Sequence, residues 1–162
     1  MMSNKAIFLD RDGVINVDVL NYTWKIKDFK FVDGVFEACR EFQKRGYLLI
    51  VITNQAGIAK GLYTHKDVDV LHDYMKAVFE REGITITEAY YCPHHETFGK
   101  CLCRKPGSLL VEKAVAKFNI DPTRSYFIGD RERDIQAGEG AGVKGILIEV
   151  NTGLQQVIHA IR

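Results

Sequence analysis

The strongest constraint on this chain is a rhythm of five short apolar runs separated by stretches with helical spacing. The runs are Ala6-Ile7-Phe8-Leu9, Leu48-Leu49-Ile50-Val51-Ile52, Ala89-Tyr90-Tyr91, Tyr126-Phe127-Ile128 and Gly145-Ile146-Leu147-Ile148. None contains a charge, and that pattern predicts strands buried on both faces. Between them, Val35, Ala38, Cys39 and Phe42 share one helical face. So do Leu71, Met75, Val78 and Phe79, and likewise Leu110, Val111, Ala114, Val115 and Phe118. Thr64 is placed to cap the second helix and Gly83 to stop it, while Pro106 is expected to open the third. Alternation of this kind predicts an α/β domain with a mainly parallel sheet and right-handed crossovers. Ligands then bind at the carboxyl ends of the strands.

At 162 residues the chain fits one domain over 1–162, and 46% hydrophobic with 27% charged residues gives material for a substantial core. Lys plus Arg (22) almost balances Asp plus Glu (21). A near-neutral surface offers no field suited to nucleic acid or an anionic membrane, so the expected partner is a small molecule and the expected state a monomer. The apolar run after Met1-Met2-Ser3-Asn4-Lys5 is too short for a signal or spanning segment, which predicts a cytoplasmic protein.

Three of the predicted strands end in polar groups: Asp10-Arg11-Asp12-Gly13, Thr53-Asn54-Gln55 and Gly129-Asp130. A parallel sheet brings those ends to one edge, gathering Asp10, Asp12, Thr53 and Asp130. Residues i and i+2 of an extended segment point the same way, roughly 7 Å apart, which leaves room for one phosphoryl group between Asp10 and Asp12. One carboxylate can attack phosphorus while the other protonates the leaving oxygen. A phosphate held there needs a counter-charge, and Asp130 can complete an oxygen set for Mg²⁺.

Cys92, His94, Cys101 and Cys103 supply four soft or imidazole ligands, as a closed tetrahedral Zn²⁺ site requires, with His95 as an alternative to His94. In a reducing compartment this grouping favours metal over disulfides. Arg104 and Lys105 follow directly, so a zinc loop over 92–103 would aim two cations at the strand-end edge. Cys39, on an apolar helix face, reads as a small buried hydrophobe. His65, His72 and His159 read as unpaired exposed or satisfied histidines. Gly140-Ala141-Gly142-Val143-Lys144-Gly145 has the dinucleotide spacing in the wrong context, helix before strand, and reads as a turn.

Asp10-Arg11-Asp12-Gly13-Val14, Thr53-Asn54, Lys105 and Gly129-Asp130 with Asp134 resemble, in order and spacing, the four motifs of the haloacid dehalogenase superfamily. Cys92-Pro93-His94 with Cys101-Leu102-Cys103-Arg104-Lys105-Pro106 resembles the branch that holds heptose bisphosphate phosphatases and histidinol-phosphate phosphatases. The stretches Ile15 to Asp18, Thr53 to Gly61 and Tyr90 to His95 look closer to the heptose enzymes. The resemblance implies a three-layer, Rossmann-like fold without a separate cap domain, its zinc loop lying over the active site. It implies Asp10 as nucleophile, Asp12 as acid/base, and Thr53 and Lys105, with Arg104 beside them, as phosphate holders. Mg²⁺ would be held by Asp10, the Asp12 carbonyl and Asp130. Asp18, Tyr22, Asn54 and Arg131 are further candidates for contact with the sugar. The activity implied is hydrolysis of the C7 phosphate of a heptose bisphosphate for glycoconjugate precursors. The competing expectations are histidinol-phosphate hydrolysis and a zinc-bearing binding module without catalysis.

Overall fold

The computed structural model describes residues 2–162. Five strands, β1 (Lys5–Leu9), β2 (Tyr47–Asn54), β3 (Ile86–Cys92), β4 (Tyr126–Gly129) and β5 (Lys144–Leu147), form one sheet of order β3-β2-β1-β4-β5. Every neighbouring pair is parallel, so every connection must cross over. The crossovers carry α1 (Val35–Lys44), α2 (His65–Arg81), α3 (Leu109–Lys117) and α4 (Glu132–Gly140).

Strand alternation divides the core into two. Ile7, Leu9, Leu49 and Val51 face Val35, Phe42, Leu71, Met75 and Phe79 of α1 and α2. Ala6, Phe8, Ile50 and Ile52 face Leu110, Val111, Ala114 and Ala137 of α3 and α4. Adjacent residues of β1 thus belong to opposite cores, and the apolar runs of β1, β2 and β4 are continuous because both faces are covered. The edge strands β3 and β5 are only half-buried, contrary to expectation, with Leu147 55% exposed. Cys39 is wholly buried in the first core, as expected, and burial alone pushes its thiol up to about 12.

Thr64 caps α2 reciprocally: its hydroxyl oxygen accepts from the Asp67 amide while the Asp67 carboxylate accepts from the Thr64 amide. Gly83 follows the helix at φ +77°, the left-handed conformation that favours glycine. The third helix departs from expectation. It begins at Leu109 rather than at Pro106, because residues 104–107 are committed to a turn closed by the Gly107 amide on the Arg104 carbonyl. No described helix is long and apolar enough to cross a membrane. The Gly140 to Gly145 segment is the turn from α4 into β5, as its order predicted.

Because β1 pairs with β2 on one side and β4 on the other, the sequence doubles back across β1, and the crevice at the carboxyl ends of β1, β2 and β4 is the topological switch point.

Candidate active site

The Asp10 amide still donates to the Ile128 carbonyl at 3.2 Å, so pairing with β4 carries this residue to the open end of the sheet. Lys105 reaches it from the loop before α3. Its Nζ lies 2.8 Å from Asp10 Oδ1, 2.6 Å from Asp134 Oδ1 and 2.8 Å from the Ile52 carbonyl. Two of the ammonium's three protons make hydrogen bonds, to Asp10 and the Ile52 carbonyl, and Asp134 stands against it as an ion pair. Asp10 Oδ1 accepts a second bond from the Arg11 amide at 2.9 Å. Among the described residues no donor reaches Oδ2, which is left for chemistry. Burial opposes the Asp10 charge, but the Lys105 ammonium outweighs it and holds the carboxyl below its usual range. The lysine gains in return, its pKa raised by Asp10 and Asp134 against the pull of burial.

Asn54 fixes the lysine's backbone. Its carboxamide donates to the Lys105 carbonyl at 3.2 Å and accepts from the Lys105 amide at 3.0 Å. That two-pronged contact holds a loop 51 residues away in sequence at the end of β2.

Carboxylate oxygens of Asp10, Asp130 and Asp134 lie within 4.8 Å of one another. Both oxygens of Asp130 are buried without a hydrogen-bond donor. Burial and the nearby Asp10 charge push its pKa up to about 7. Gly13, at φ +89°, crosses this carboxylate so closely that a Cβ would come within 2.4 Å of Oδ2. Three carboxylates face one ammonium here, and buried charge of one sign is costly unless paired. The donor set is hard oxygen throughout, and it fits a divalent cation of the Mg²⁺ class. Asp134, not the Asp12 side chain, is the third carboxylate of the group.

The Asp12 carboxylate is engaged elsewhere. Its Oδ1 accepts from Arg11 Nε (3.2 Å), Arg11 Nη2 (2.9 Å) and Asn16 Nδ2 (3.0 Å), while Oδ2 has one long contact to Gln55 Nε2 (3.3 Å). Arg11 is completely buried, with Nη2 also donating to the Thr23 carbonyl at 2.7 Å and Nη1 3.2 Å from His72 Nε2. His72 is therefore the satisfied rather than the exposed histidine of the two expected, with Arg11 as its partner. Burial and the Arg11 charge lower its pKa to about 3, so the ring is neutral and Nε2 can accept.

At the end of β3 the four soft ligands converge. Cys92 Sγ lies 3.1 Å from Cys103 Sγ, 3.7 Å from Cys101 Sγ and 3.4 Å from His94 Nδ1. His94 Nδ1 is 3.2 Å from Cys103 Sγ. Sulfurs bound at ~2.3 Å to one tetrahedral ion stand about 3.8 Å apart, so the cluster is the size of a zinc cage. The loop continues into Arg104, whose Nη1 donates to the His94 carbonyl at 3.3 Å. Strand ends, loop 18–22 and this loop together enclose a cleft of about 390 Å³.

A family model described as HAD-hydrolase-like matches residues 102–158. A Campylobacter jejuni relative named D-glycero-alpha-D-manno-heptose-1,7-bisphosphate 7-phosphatase is 50% identical over 93% of this chain and 84% of its own length. A Haemophilus influenzae relative, named as the beta-anomer phosphatase, is 44% identical over 93% of this chain and 83% of its own. The chain belongs to the heptose-bisphosphate phosphatase family of the haloacid dehalogenase superfamily. The fold agrees: the crystal structure of D,D-heptose 1,7-bisphosphate phosphatase from B. bronchiseptica, complexed with magnesium and phosphate, superposes with a TM-score of 0.84. It is 28% identical and covers 96% of this chain and 86% of that one.

In this phosphatase the cleft is lined by Asp10, Asp12, Thr53, Asn54 and Asp130 from the strand ends, and by Asp18, Tyr22, Arg104 and Arg131 from the surrounding segments. Of the residues named from sequence as catalytic or substrate-binding, Lys105 alone lies beneath the lining rather than in it. Thr53 Oγ1 accepts from Gln55 Nε2 at 2.9 Å, and Gln55 Oε1 accepts from the Tyr63 hydroxyl at 2.7 Å. The Asp18 carboxylate faces its own loop, accepting from the Leu20 amide at 2.9 Å and standing 3.7 Å from the Arg131 guanidinium. The supporting network of Arg11, Asn16, Gln55 and His72 escaped the sequence reading. Only Arg11 carried a signal there, as a cation between two carboxylates that had to be buried with them.

Proposed function

We propose that this phosphatase removes the C7 phosphate of D-glycero-D-manno-heptose 1,7-bisphosphate by way of a phosphoryl group carried on Asp10, supplying glycoconjugate precursors. The observation that carries the chemistry is the asymmetry of Asp10: Oδ1 is held by Lys105 and the Arg11 amide, and Oδ2 is free at the floor of the cleft. The substrate rests on relatives of the same name that span nearly all of this chain.

Asp10 Oδ2 attacks phosphorus, and the bond from phosphorus to the C7 oxygen breaks. Asp12, whose Oδ1 is saturated by Arg11 and Asn16, delivers a proton from Oδ2 to the departing oxygen and releases heptose 1-phosphate. The same oxygen then takes a proton from water, which attacks the phosphoryl group and frees both phosphate and the Asp10 carboxylate. Thr53 offers its hydroxyl to the phosphoryl oxygens, and Arg104 adds positive charge from the cleft wall. Asp10, the Asp12 carbonyl and Asp130 would hold Mg²⁺, which would supply the positive charge that lets a carboxylate approach a phosphate anion. Cys92, His94, Cys101 and Cys103 would hold zinc, and the loop so fixed would keep Arg104 and Lys105 in register without the ion touching substrate. The whole of 1–162 works as one domain.

The test is a side-by-side measurement of kcat/KM for the heptose bisphosphate and for histidinol phosphate, with added Mg²⁺ and again with excess EDTA. The expected result is a preference of roughly 10² or more for the bisphosphate, since a site built around substrate hydroxyls rejects a ligand lacking them. Turnover should vanish in EDTA. Equal or reversed preference would overturn the substrate; turnover undiminished by EDTA would overturn the metal.

A further inference from the structure

Residues 18–22 form one wall of the cleft, with Asp18, Leu20, Asn21 and Tyr22 all facing it. This segment follows the catalytic strand closely, yet its own backbone is almost free. Among the described residues, its only backbone hydrogen bonds beyond the loop are to one side chain, Asn151. The Asp18 amide donates to Asn151 Oδ1 at 2.7 Å, and Asn151 Nδ2 donates to the Asp18 carbonyl at 3.0 Å. The partners are 133 residues apart in sequence.

Asn151 is itself firmly placed. Its amide donates to the Gly13 carbonyl at 2.9 Å, which ties it to the turn that carries Asp12. The Thr152 hydroxyl donates to the Glu149 carbonyl, and Gln156 Nε2 donates to Thr152 Oγ1 at 2.7 Å, which pins the turn to the residues after it. Asn151 adopts φ +64°, a left-handed conformation that asparagine tolerates better than other side chains. That conformation aims its carboxamide at Asp18. The far end of the wall has a weaker hold, from Lys60 Nζ to the Tyr22 hydroxyl at 2.7 Å on an exposed surface.

We propose that Asn151 is a positioning residue for substrate selection: its two-pronged hold on Asp18 sets the wall against which the sugar is read, while the phosphate chemistry proceeds without it. The same device appears once more in the cleft, where Asn54 grips Lys105. There it fixes the phosphate end, and at Asn151 it fixes the leaving-group end. The substrate named in the test rests on the function proposed above.

The experiment compares wild type with Asn151→Gly and Asn151→Asp. Glycine keeps the positive φ without strain and removes both hydrogen bonds, so a folding defect is avoided; aspartate keeps the acceptor for the Asp18 amide and loses the donor. Hydrogen exchange at the Asp18 amide should quicken in Asn151→Gly and less in Asn151→Asp. The KM for the heptose bisphosphate should rise about tenfold in the glycine variant, the value of a net hydrogen bond or two, and by less in the aspartate variant. Turnover of nitrophenyl phosphate, which presents no sugar to the wall, should change by less than about twofold. Unchanged exchange at Asp18, or equal losses on both substrates, would overturn the proposal. A wild-type enzyme that ignores the heptose bisphosphate would instead overturn the substrate assignment, and the exchange result would still decide the clamp.

Discussion

The two ends of the cleft are built differently. At the phosphate end, Lys105 is held by two hydrogen bonds and two buried ion pairs, Asp12 receives four contacts and Arg11 is wholly buried. At the leaving-group end, Leu20 is 86% exposed and Val19 61%, and the backbone of 18–22 is held by a single asparagine. In-line attack demands sub-ångström placement of reacting groups, which rigid strand ends and saturated hydrogen bonds supply. Choosing among sugars demands a surface that can differ between related enzymes, and loops on a fixed scaffold supply that.

The division is broken most severely at Asp10. Asp10→Asn should fold with an unchanged thermal midpoint and lose at least about 10⁴ in kcat on every phosphate ester, as removal of a nucleophile does. Comparable losses on good and poor leaving groups alike are the mark of the phosphate end. Residual activity within tenfold of wild type would remove Asp10 from that role.

Asp12→Asn sharpens the same end. Turnover of the sugar phosphate should fall by roughly 10²–10⁴, the range for a general acid/base. With nitrophenyl phosphate, whose leaving group needs no proton, a rapid first release of nitrophenol should survive although steady turnover falls. Equal slowing of the first release with both leaving groups would recast Asp12 as a residue that only positions others.

The loop proposed to hold zinc runs directly into Arg104 and Lys105. The purified protein should contain one zinc per chain by elemental analysis. Cys101→Ser should lower kcat/KM by about 10- to 100-fold, the usual cost of disturbing groups that orient a site. Zinc-free protein with full activity would sever the loop from catalysis.

The smallest effect concerns His72 and is read as stability. Its pKa falls from 6.5 to about 3 on folding, so the unfolded chain binds the proton first. Stability from the neutral ring is fully present above pH 6.5 and is lost as pH drops toward 3, at up to ~1.4 kcal/mol per unit. Between pH 7 and pH 5 the wild type should lose about 2 kcal/mol more than His72→Gln, which keeps an acceptor for Arg11 without titrating. Urea unfolding at the two pH values measures this. Parallel losses in both proteins would mean that the buried ring is not held neutral.

Much of this was legible in the sequence because it is local. The three central strands show themselves as apolar runs, and the polar residues at their ends mark the site edge without further information. The four proposed zinc ligands crowd within a dozen positions. Helix α4 was faint because close packing against β4 and β5 selects Ala137 and Gly138 rather than large apolar residues; a Cβ at Gly138 would meet Phe127 at 2.9 Å. The start of α3 was misplaced because proline is compatible with both a turn and a first helical turn, and only the grip of Asn54 on Lys105 decides between them. Arg11 with His72, and Asp18 with Asn151, are pairs separated by 61 and 133 residues. No periodicity or spacing announces such contacts, since they exist only once the sheet has brought distant loops together.

The most direct test of the account is to trap the phosphoryl enzyme. Wild-type protein mixed with heptose bisphosphate labelled in the C7 phosphate, quenched in acid within one turnover and digested, should carry the label on the peptide containing Asp10, with no less heptose 1-phosphate released than label bound. Label on another residue, or release of phosphate and sugar together with no labelled protein, would contradict it.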